Sequence, residues 1–433
     1  MIISFAVQNF RSIRERREIS MLKTGLSGSQ SNYVKTSTKK QVLKTAVIYG
    51  PNASGKSNFI KAIQALEYLV LRSSSYKLDA SIEPYEPFQL DRSCLSLPVN
   101  FEISFIYEKL QYDYLVAFTD KRIEREELYF YPTNSKSLLY CRIADNEMKF
   151  GDYYKGVKKT LEKMLLPNQL FLSKASENNV DVLNPAYAFF KNGLQAFATF
   201  EDYHENNFAR LYAKRLAKDS NSQFSKRFNA LICSLDTGII SVSARETEWG
   251  ENALGSLPEE VKNKIKEDYK YEIRTQHPIY DGDKIVDKQT FDVNDESKGT
   301  QSLFAIAGLA LDALDSGRVL VVDEFERSLH PDITKYFIQM FHNPEINRQD
   351  AQLIFATHDI SQLSNEHFRR DQVWFTKKSM YGATDIVRCS DIPGLRLGTP
   401  VDKWYSSGRL GAVPLIDDRN FIMEMENHVE DEE

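Results

Sequence analysis

Gly50, Gly55 and the Lys56-Ser57 pair behind them are the residues of this chain best suited to hold a polyphosphate. They keep the spacing G-x-x-x-x-G-K-[ST]. Val47-Ile48-Tyr49 precedes them, and an apolar-periodic segment (Phe59, Ile60, Ala62, Ile63, Leu66) follows. The chemistry accounts for the spacing. Successive backbone N–H groups of a tight loop, together with a helix N-terminus, form a preorganised anion site. Glycine lets the backbone turn and come close to the phosphates. Gly50, Pro51, Asn52, Ala53, Ser54, Gly55, Lys56, Ser57 and Asn58 are therefore expected to bind a nucleoside triphosphate. Lys56 would reach the β/γ-phosphates and the Ser57 hydroxyl would ligate Mg²⁺.

A second group lies far downstream. Val319-Leu320-Val321-Val322 is an aliphatic run ending in Asp323-Glu324. A carboxylate at the end of a buried strand suits a Walker B role, so Asp323 is expected to support Mg²⁺. Glu324 beside it is the candidate general base for a lytic water. Another aliphatic run, Leu353–Ala356, leads through Thr357 to His358, whose imidazole is placed to sense the γ-phosphate. Upstream, Glu296-Ser297-Lys298-Gly299-Thr300-Gln301 opens a helix and offers a second anion-binding end. One chain cannot easily wrap two such ends around one triphosphate, whereas two facing chains can.

These residues need elements to position them. The pattern predicts strands at Ile2–Val7, Glu18–Leu22 and 45–49, and a helix from the phosphate loop to about Arg72. An aromatic-rich antiparallel meander is expected over Asn100–Tyr107, Tyr112–Thr119, Arg122–Tyr131 and Ser137–Arg142. Residues 154–235 carry helical spacing at Val157–Leu165, Pro185–Phe200 and Phe208–Cys233. Strands resume at Gly238–Ala244, Tyr271–Gln276 and Gln289–Val293, around a helix at Pro258–Tyr269. A helix at Glu296–Asp315 then leads into strands Val319–Val322, Gln352–Ala356, Val373–Thr376 and Thr384–Cys389, with a helix at Ile333–Phe341 among them. The four-aliphatic strands suit central positions in a parallel sheet. The expected fold is α/β: a P-loop NTPase with a mixed central sheet, an antiparallel β-meander and an inserted helical subdomain. The expected division is 1–150, 151–237, 238–415 and an acidic tail at 416–433.

The bulk numbers narrow the class. A chain of 433 residues, 42% hydrophobic and 27% charged, can bury a real core. A net charge of −6 gives no global signature for nucleic acid. Cys94, Cys141, Cys233 and Cys389 are far apart, which fits a reducing cytoplasm better than a zinc site or disulfide framework. No 18-residue apolar window and no charged signal-peptide start are present, so neither a membrane span nor a leader is expected.

The order of these motifs resembles the ABC-type ATPase heads of the SMC/Rad50/RecF kind. Asn9-Phe10-Arg11-Ser12 is similar to their N-terminal strand–turn, Ser297 and Gly299 to the signature motif, Ser328-Leu329-His330 to the D-loop and His358 to the switch histidine. More narrowly, the chain resembles the AAA15 family of stand-alone bacterial ATPases found in RloA, AbiL and PARIS-type phage-defence loci. Tyr49–Asn58, Lys298–Thr300, Asp323–Pro331 and Tyr405–Pro414 carry that likeness, which runs to about residue 415.

The resemblance implies an ATPase whose heads dimerise around ATP and Mg²⁺. Ser297 and Gly299 would complete the site in trans, and Arg11 would lie near the base or phosphates. It also implies a homodimer or larger homo-oligomer, a separately encoded effector such as a Toprim-like nuclease, and a phage protein as trigger. Residues 154–235 would supply the partner or sensor surface.

Several features depart from the family pattern. The signature reads Glu-Ser-Lys-Gly-Thr. The Q-loop glutamine is either Gln89 or Gln169. The region between the phosphate loop and the signature holds no long heptad array, so coiled-coil arms are not expected, and residues 373–433 are too short for a nuclease module to be expected there. The alternative is a RecF/SMC-like ATPase that binds DNA in repair or maintenance, using Arg11, Arg14, Arg16, Arg17, Lys35, Lys39, Lys40 and Lys44.

Overall fold

The computed structural model describes residues 1–26, 28–133, 135–144, 146–198, 212–235, 237–249, 254–364, 367–395 and 399–410, with 418, 419, 421–423 and 425 beyond them. A six-stranded sheet carries the phosphate loop. Its spatial order is Leu194–Phe197, Val319–Val322, Gln352–Ala356, Thr45–Tyr49, Val373–Lys378 and Thr384–Arg388. The first five strands are parallel and the last is antiparallel. The strand leading to His358 thus lies between the phosphate-loop strand and the Asp323 strand.

The aliphatic runs follow from burial on both faces. Ala46, Ile48, Val319, Val321, Ile354 and Ala356 face one core. Their neighbours Val47, Tyr49, Leu320, Val322, Leu353 and Phe355 face the other. The first core is shared with the phosphate-loop helix Lys56–Arg72 and with a seven-stranded antiparallel sheet. That sheet contains Ile2–Gln8, Arg17–Ser20 and the meander Val99–Tyr107, Leu110–Phe118, Ile123–Tyr131 and Ser137–Ile143. Phe5 meets Phe59 of the helix edge-on, ring centroids 5.5 Å apart. The second core is shared with the helices Lys298–Ser316 and Pro331–His342. Gln352 joins the two sheets: its amide accepts the Ile2 N–H at 2.6 Å and donates to the Ile2 and Leu43 carbonyls.

One expectation fails within the predicted helical stretch. Pro185–Phe200 is not one helix. A short helix Asn184–Ala188 and a π turn Phe189–Gly193 give way to the strand Leu194–Phe197. Alternating burial at Leu194 and Ala196, and parallel pairing with Val319–Val322, decide it. Tertiary pairing overrides local spacing here. Glu67 of the phosphate-loop helix accepts the Ala196 N–H at 3.2 Å, and burial raises its carboxyl to about 8. Of the predicted helix Phe208–Cys233, residues 208–211 lie outside the described residues, and Gln223–Cys233 is helical. Residues 426–433 of the acidic tail and 411–414 of the C-terminal motif also lie outside them.

A buried polar cluster fixes the start of the phosphate-loop strand. His342 Nε2 is 2.9 Å from the Thr45 hydroxyl, and the Gln372 amide donates to that hydroxyl at 2.5 Å. Burial, with Lys44 nearby, lowers the His342 pKa to about 3. An unfolded histidine titrates near 6.5, so between these values the unfolded chain binds the extra proton and folding weakens as pH falls. The slope from this residue is at most about 1.4 kcal/mol per pH unit. Urea unfolding at pH 7.5 and 5.0 is therefore expected to show a shallower pH dependence in His342→Gln than in the wild type. Equal dependences would contradict this assignment.

Candidate nucleotide site

The phosphate loop is clamped from outside its own sequence. Gly55, at φ +104°, precedes the helix. A Cβ on Gly55 would lie 2.1 Å from the Thr384 hydroxyl, and one on Gly50 would lie 2.1 Å from the Thr376 hydroxyl. Ser54 shares a 2.6 Å hydrogen bond with Thr376, and Thr384 donates to the Ser54 carbonyl at 2.8 Å. Two threonines on the last two strands thus press the loop into shape. Sequence reasoning missed both. A lone threonine in a strand carries no local signal, and these partners lie more than 300 residues away.

The N-terminal turn Asn9-Phe10-Arg11-Ser12 supplies three separate ties. The Asn9 side chain holds the 88–98 loop through the Cys94 and Leu97 carbonyls and the Phe88 N–H. Ser12 reaches the phosphate loop, with its hydroxyl 2.7 Å from Thr384 and receiving the Asn58 amide at 2.7 Å. Asn58 is therefore turned toward this turn. Arg11 departs from its expected place near the phosphates. Its guanidinium pairs with Glu86. It lines a cleft with Lys61, Gln64 and Tyr68, beyond the first turn of the phosphate-loop helix. A carboxylate brought in by the 82–88 loop captures it before it can face the loop.

Pro51, Asn52 and Ala53 form the loop tip, with Ala53 at φ +61°. Lys56 is 5% exposed, and its ammonium donates to the Gly50 carbonyl at 2.8 Å and to Pro51 at 3.3 Å. Burial lowers its pKa to about 8, against the opposing pull of Asp323, Glu326 and Glu324. Asp323 is buried and hydrogen-bonded by Ser57. Burial raises its pKa, while that hydrogen bond and Lys56 act against the shift. Its Oδ1 is buried without a hydrogen-bond partner. Hard oxygen donors from Asp323 and Ser57, one of them unsatisfied, fit Mg²⁺, which takes few protein ligands and completes its shell with phosphate and water.

Glu324 follows in the left-handed region at φ +50° and is exposed. His358 is held below its usual pKa by burial, with Lys56 adding to the effect and Glu324 opposing it. Its imidazole is thus neutral at pH 7. Lys56, Asp323, Glu324 and His358 therefore converge at the C-terminal ends of three neighbouring strands. Such an edge is where open α/β sheets bind ligands.

Other expected site residues lie elsewhere. Ser297 caps the helix Lys298–Ser316, its hydroxyl accepting the Thr300 N–H at 3.1 Å. A Cβ on Gly299 would lie 2.8 Å from the Ser328 carbonyl, so the signature start packs on the D-loop of its own chain. Of the two Q-loop candidates, Gln169 is buried and spent on the Ser74 and Tyr76 carbonyls, while Gln89 is exposed. The Gln169 oxygen in turn accepts the Leu166 N–H at 3.2 Å, so this side chain is engaged at both ends with backbone away from the loop.

Several basic residues of the alternative reading are engaged, while Lys35 and Lys39 are exposed. Arg14 pairs with Asp91, Arg16 with Glu18 and Glu102, and Arg17 with Asp385. Lys44 is buried 3.9 Å from Asp350. Among the described residues, no group of three or more His, Cys, Asp or Glu side chains could hold a further metal ion, and no helix is long and apolar enough to cross a membrane.

Comparison with known proteins adds a family. The profile described as "AAA domain, putative AbiEii toxin, Type IV TA system" matches residues 46–364. No curated protein matches the chain. Among solved structures, an Smc head bound to the C-winged helix domain of ScpA is similar at 13% identity, over 92% of this chain and 98% of that one, with a TM-score of 0.45. The SMC head domain from Thermotoga maritima is 13% identical over 89% and 98%, with a TM-score of 0.38. An Smc head with an extended coiled coil from Pyrococcus furiosus, bound to the C-terminal domain of ScpA, is 13% identical over 94% and 98%, with a TM-score of 0.37.

The placement of Arg11 and the threonine clamp are testable together. Arg11→Ala is expected to leave ATP affinity within about threefold, because an exposed pair on Glu86 is worth only about 0–1 kcal/mol. Gly55→Ala is expected to weaken ATP binding at least about tenfold, since a side chain there meets both a positive φ and Thr384. Titration with a fluorescent ATP analogue reads both. The reverse ranking would place Arg11 at the nucleotide.

Proposed function

The chain belongs to the AAA-domain family of AbiEii type, a group of P-loop ATPases, and from that membership we propose that it binds and hydrolyses ATP as an ABC-type head. The observation that carries this reading is the convergence of Lys56, Asp323, Glu324 and His358 at one sheet edge, with the Asp323 Oδ1 atom unpartnered. The backbone N–H groups of Gly50–Ser57 and the Lys56 ammonium bind the triphosphate. Asp323 and Ser57 hold Mg²⁺, which when bound supplies positive charge to the phosphate oxygens. Glu324 takes a proton from the attacking water as that water's oxygen bonds the γ-phosphorus and the bridging oxygen leaves with ADP. His358, neutral and adjacent, contacts the γ-phosphate and orders this step.

Ser297 and Gly299 serve the site of a facing copy. The chain then acts as a homodimer or higher homo-oligomer, and ATP shifts the equilibrium between open and closed pairs by its differential affinity for the two. Within this reading the protein is a cytoplasmic AAA15-type ATPase of bacterial antiviral defence. It senses a phage product and controls a separate toxic effector, for which a Toprim-like nuclease is the candidate. Its four free cysteines suit a reducing compartment. Within the proposed division at 1–150, 151–237 and 238–415, the middle segment also supplies the strand Leu194–Phe197 to the ATPase sheet, so a sensor surface would be formed by its other residues. A RecF-type DNA-binding ATPase is the second reading, for which Lys35 and Lys39 are exposed while arginines 11, 14, 16 and 17 pair with carboxylates at the surface.

Lys56→Ala is expected to abolish ATP binding, and retained micromolar affinity would overturn the phosphate-loop assignment. Glu324→Gln is expected to keep ATP binding, lower kcat by about 10²-fold or more, and shift gel-filtration elution to dimers in ATP. Wild-type turnover in that variant would remove Glu324 as the base.

A further inference from the structure

Glu326 is the carboxylate of this site to which no role has yet been given. It sits three residues past Asp323, on the segment that leaves the strand Val319–Val322. Its Oε1 accepts the backbone N–H of His358 at 2.7 Å. Its Oε2 is buried without a partner. Lys56 and Tyr49 both feel its charge. A second bond joins the same two segments: the Phe325 N–H reaches the Ala356 carbonyl at 3.4 Å. The segment is also strained, with Glu324 at φ +50° and Ser328 at φ +62°. Non-glycine residues hold such angles only where their surroundings impose them.

A half-buried carboxylate with one oxygen shielded from water and unpartnered is costly to keep. What it provides here is a fixed distance between two chain segments. We propose that Glu326 is a positioning residue. Its carboxylate keys the segment carrying His358 to the segment carrying Glu324, so that the imidazole and the general base hold one spacing around the γ-phosphate. This rests on the roles given to Glu324 and His358 above. It predicts an effect on the chemical step more than on nucleotide binding, because the phosphate loop has its own clamp in Thr376 and Thr384. Small misplacements of reacting groups cost up to about 10²-fold in rate.

The test compares full-length wild type with E326A, E326Q, H358A and the double variant E326A/H358A. ATP affinity, kcat and melting temperature are measured for each. E326A is expected to lower kcat about tenfold while keeping ATP affinity within about threefold. E326Q retains a carbonyl oxygen that accepts the His358 N–H, so it should keep at least about half of wild-type kcat. In the double variant, loss of Glu326 should add less than about twofold to the loss in H358A, since both act through one group. If E326A does not fold, E326M fills the volume without an acceptor and is read in the same way. Additive losses in the double variant, or equal losses in E326Q and E326A, overturn the proposal. Wild-type turnover in E326A beside an impaired H358A overturns it alone. Wild-type turnover in both overturns it together with the role of His358.

Discussion

The site is built around a cation kept out of water. Lys56 is almost fully buried, with its ammonium resting on the carbonyls of its own loop. A charge in that position is tolerable only with anions close by, because an unpaired buried ammonium loses its hydration without return. The anions arrive from the far side of the sheet. Asp323, Glu324 and Glu326 all follow one strand, and that strand must stand one place away from the loop, with the His358 strand between them. The sheet order is thus tied to an electrostatic requirement.

A parallel sheet that delivers these ends must be covered on both faces, and the chain arranges two different covers. The phosphate-loop helix and the antiparallel sheet pack on one side, and the helices Lys298–Ser316 and Pro331–His342 on the other. The two sheets are joined by one buried glutamine, Gln352, which stands in the parallel sheet and bonds the Ile2 backbone of the antiparallel one, and also the Leu43 carbonyl. Tyr49 shows how far the packing reaches. It ends the phosphate-loop strand, lies 6.0 Å from the Tyr405 ring and donates to the Asp359 carbonyl. The helix Val401–Ser406 near the chain's end is therefore part of the floor under the nucleotide site.

Much of this was legible from local pattern, and the physical reason is consistent. Val319–Val322 and Gln352–Ala356 read as central strands because burial on both faces demands continuous aliphatic residues. The meander read as period two because its sheet alternates between core and surface. The phosphate loop read from the contiguous spacing of Gly50, Gly55, Lys56 and Ser57, with Gly55 at a positive φ. What stayed hidden depended on contacts far apart in sequence. Leu194–Phe197 looks helical until Val319–Val322 offers it a partner. Thr376 and Thr384 look like ordinary strand residues until the loop is folded against them. Arg11 looks like a free turn cation until Glu86 reaches it.

The contact of Gly299 with the Ser328 carbonyl ties together parts of the chain that seem independent. Behind Gly299, Glu296 receives the Thr275 hydroxyl and lies 2.9 Å from the His277 ring nitrogen. Both residues belong to the strand Tyr271–Asp281, whose hairpin partner Lys284–Asp292 is exposed along nearly its whole length. Ahead of it, Ser328 is four residues past Glu324 in the same strained turn. With only a hydrogen at position 299 between helix and carbonyl, neither side can advance without displacing the other. The exposed hairpin, through Glu296, and the turn that carries Glu324 thus meet at a helix start where only a residue without a side chain fits.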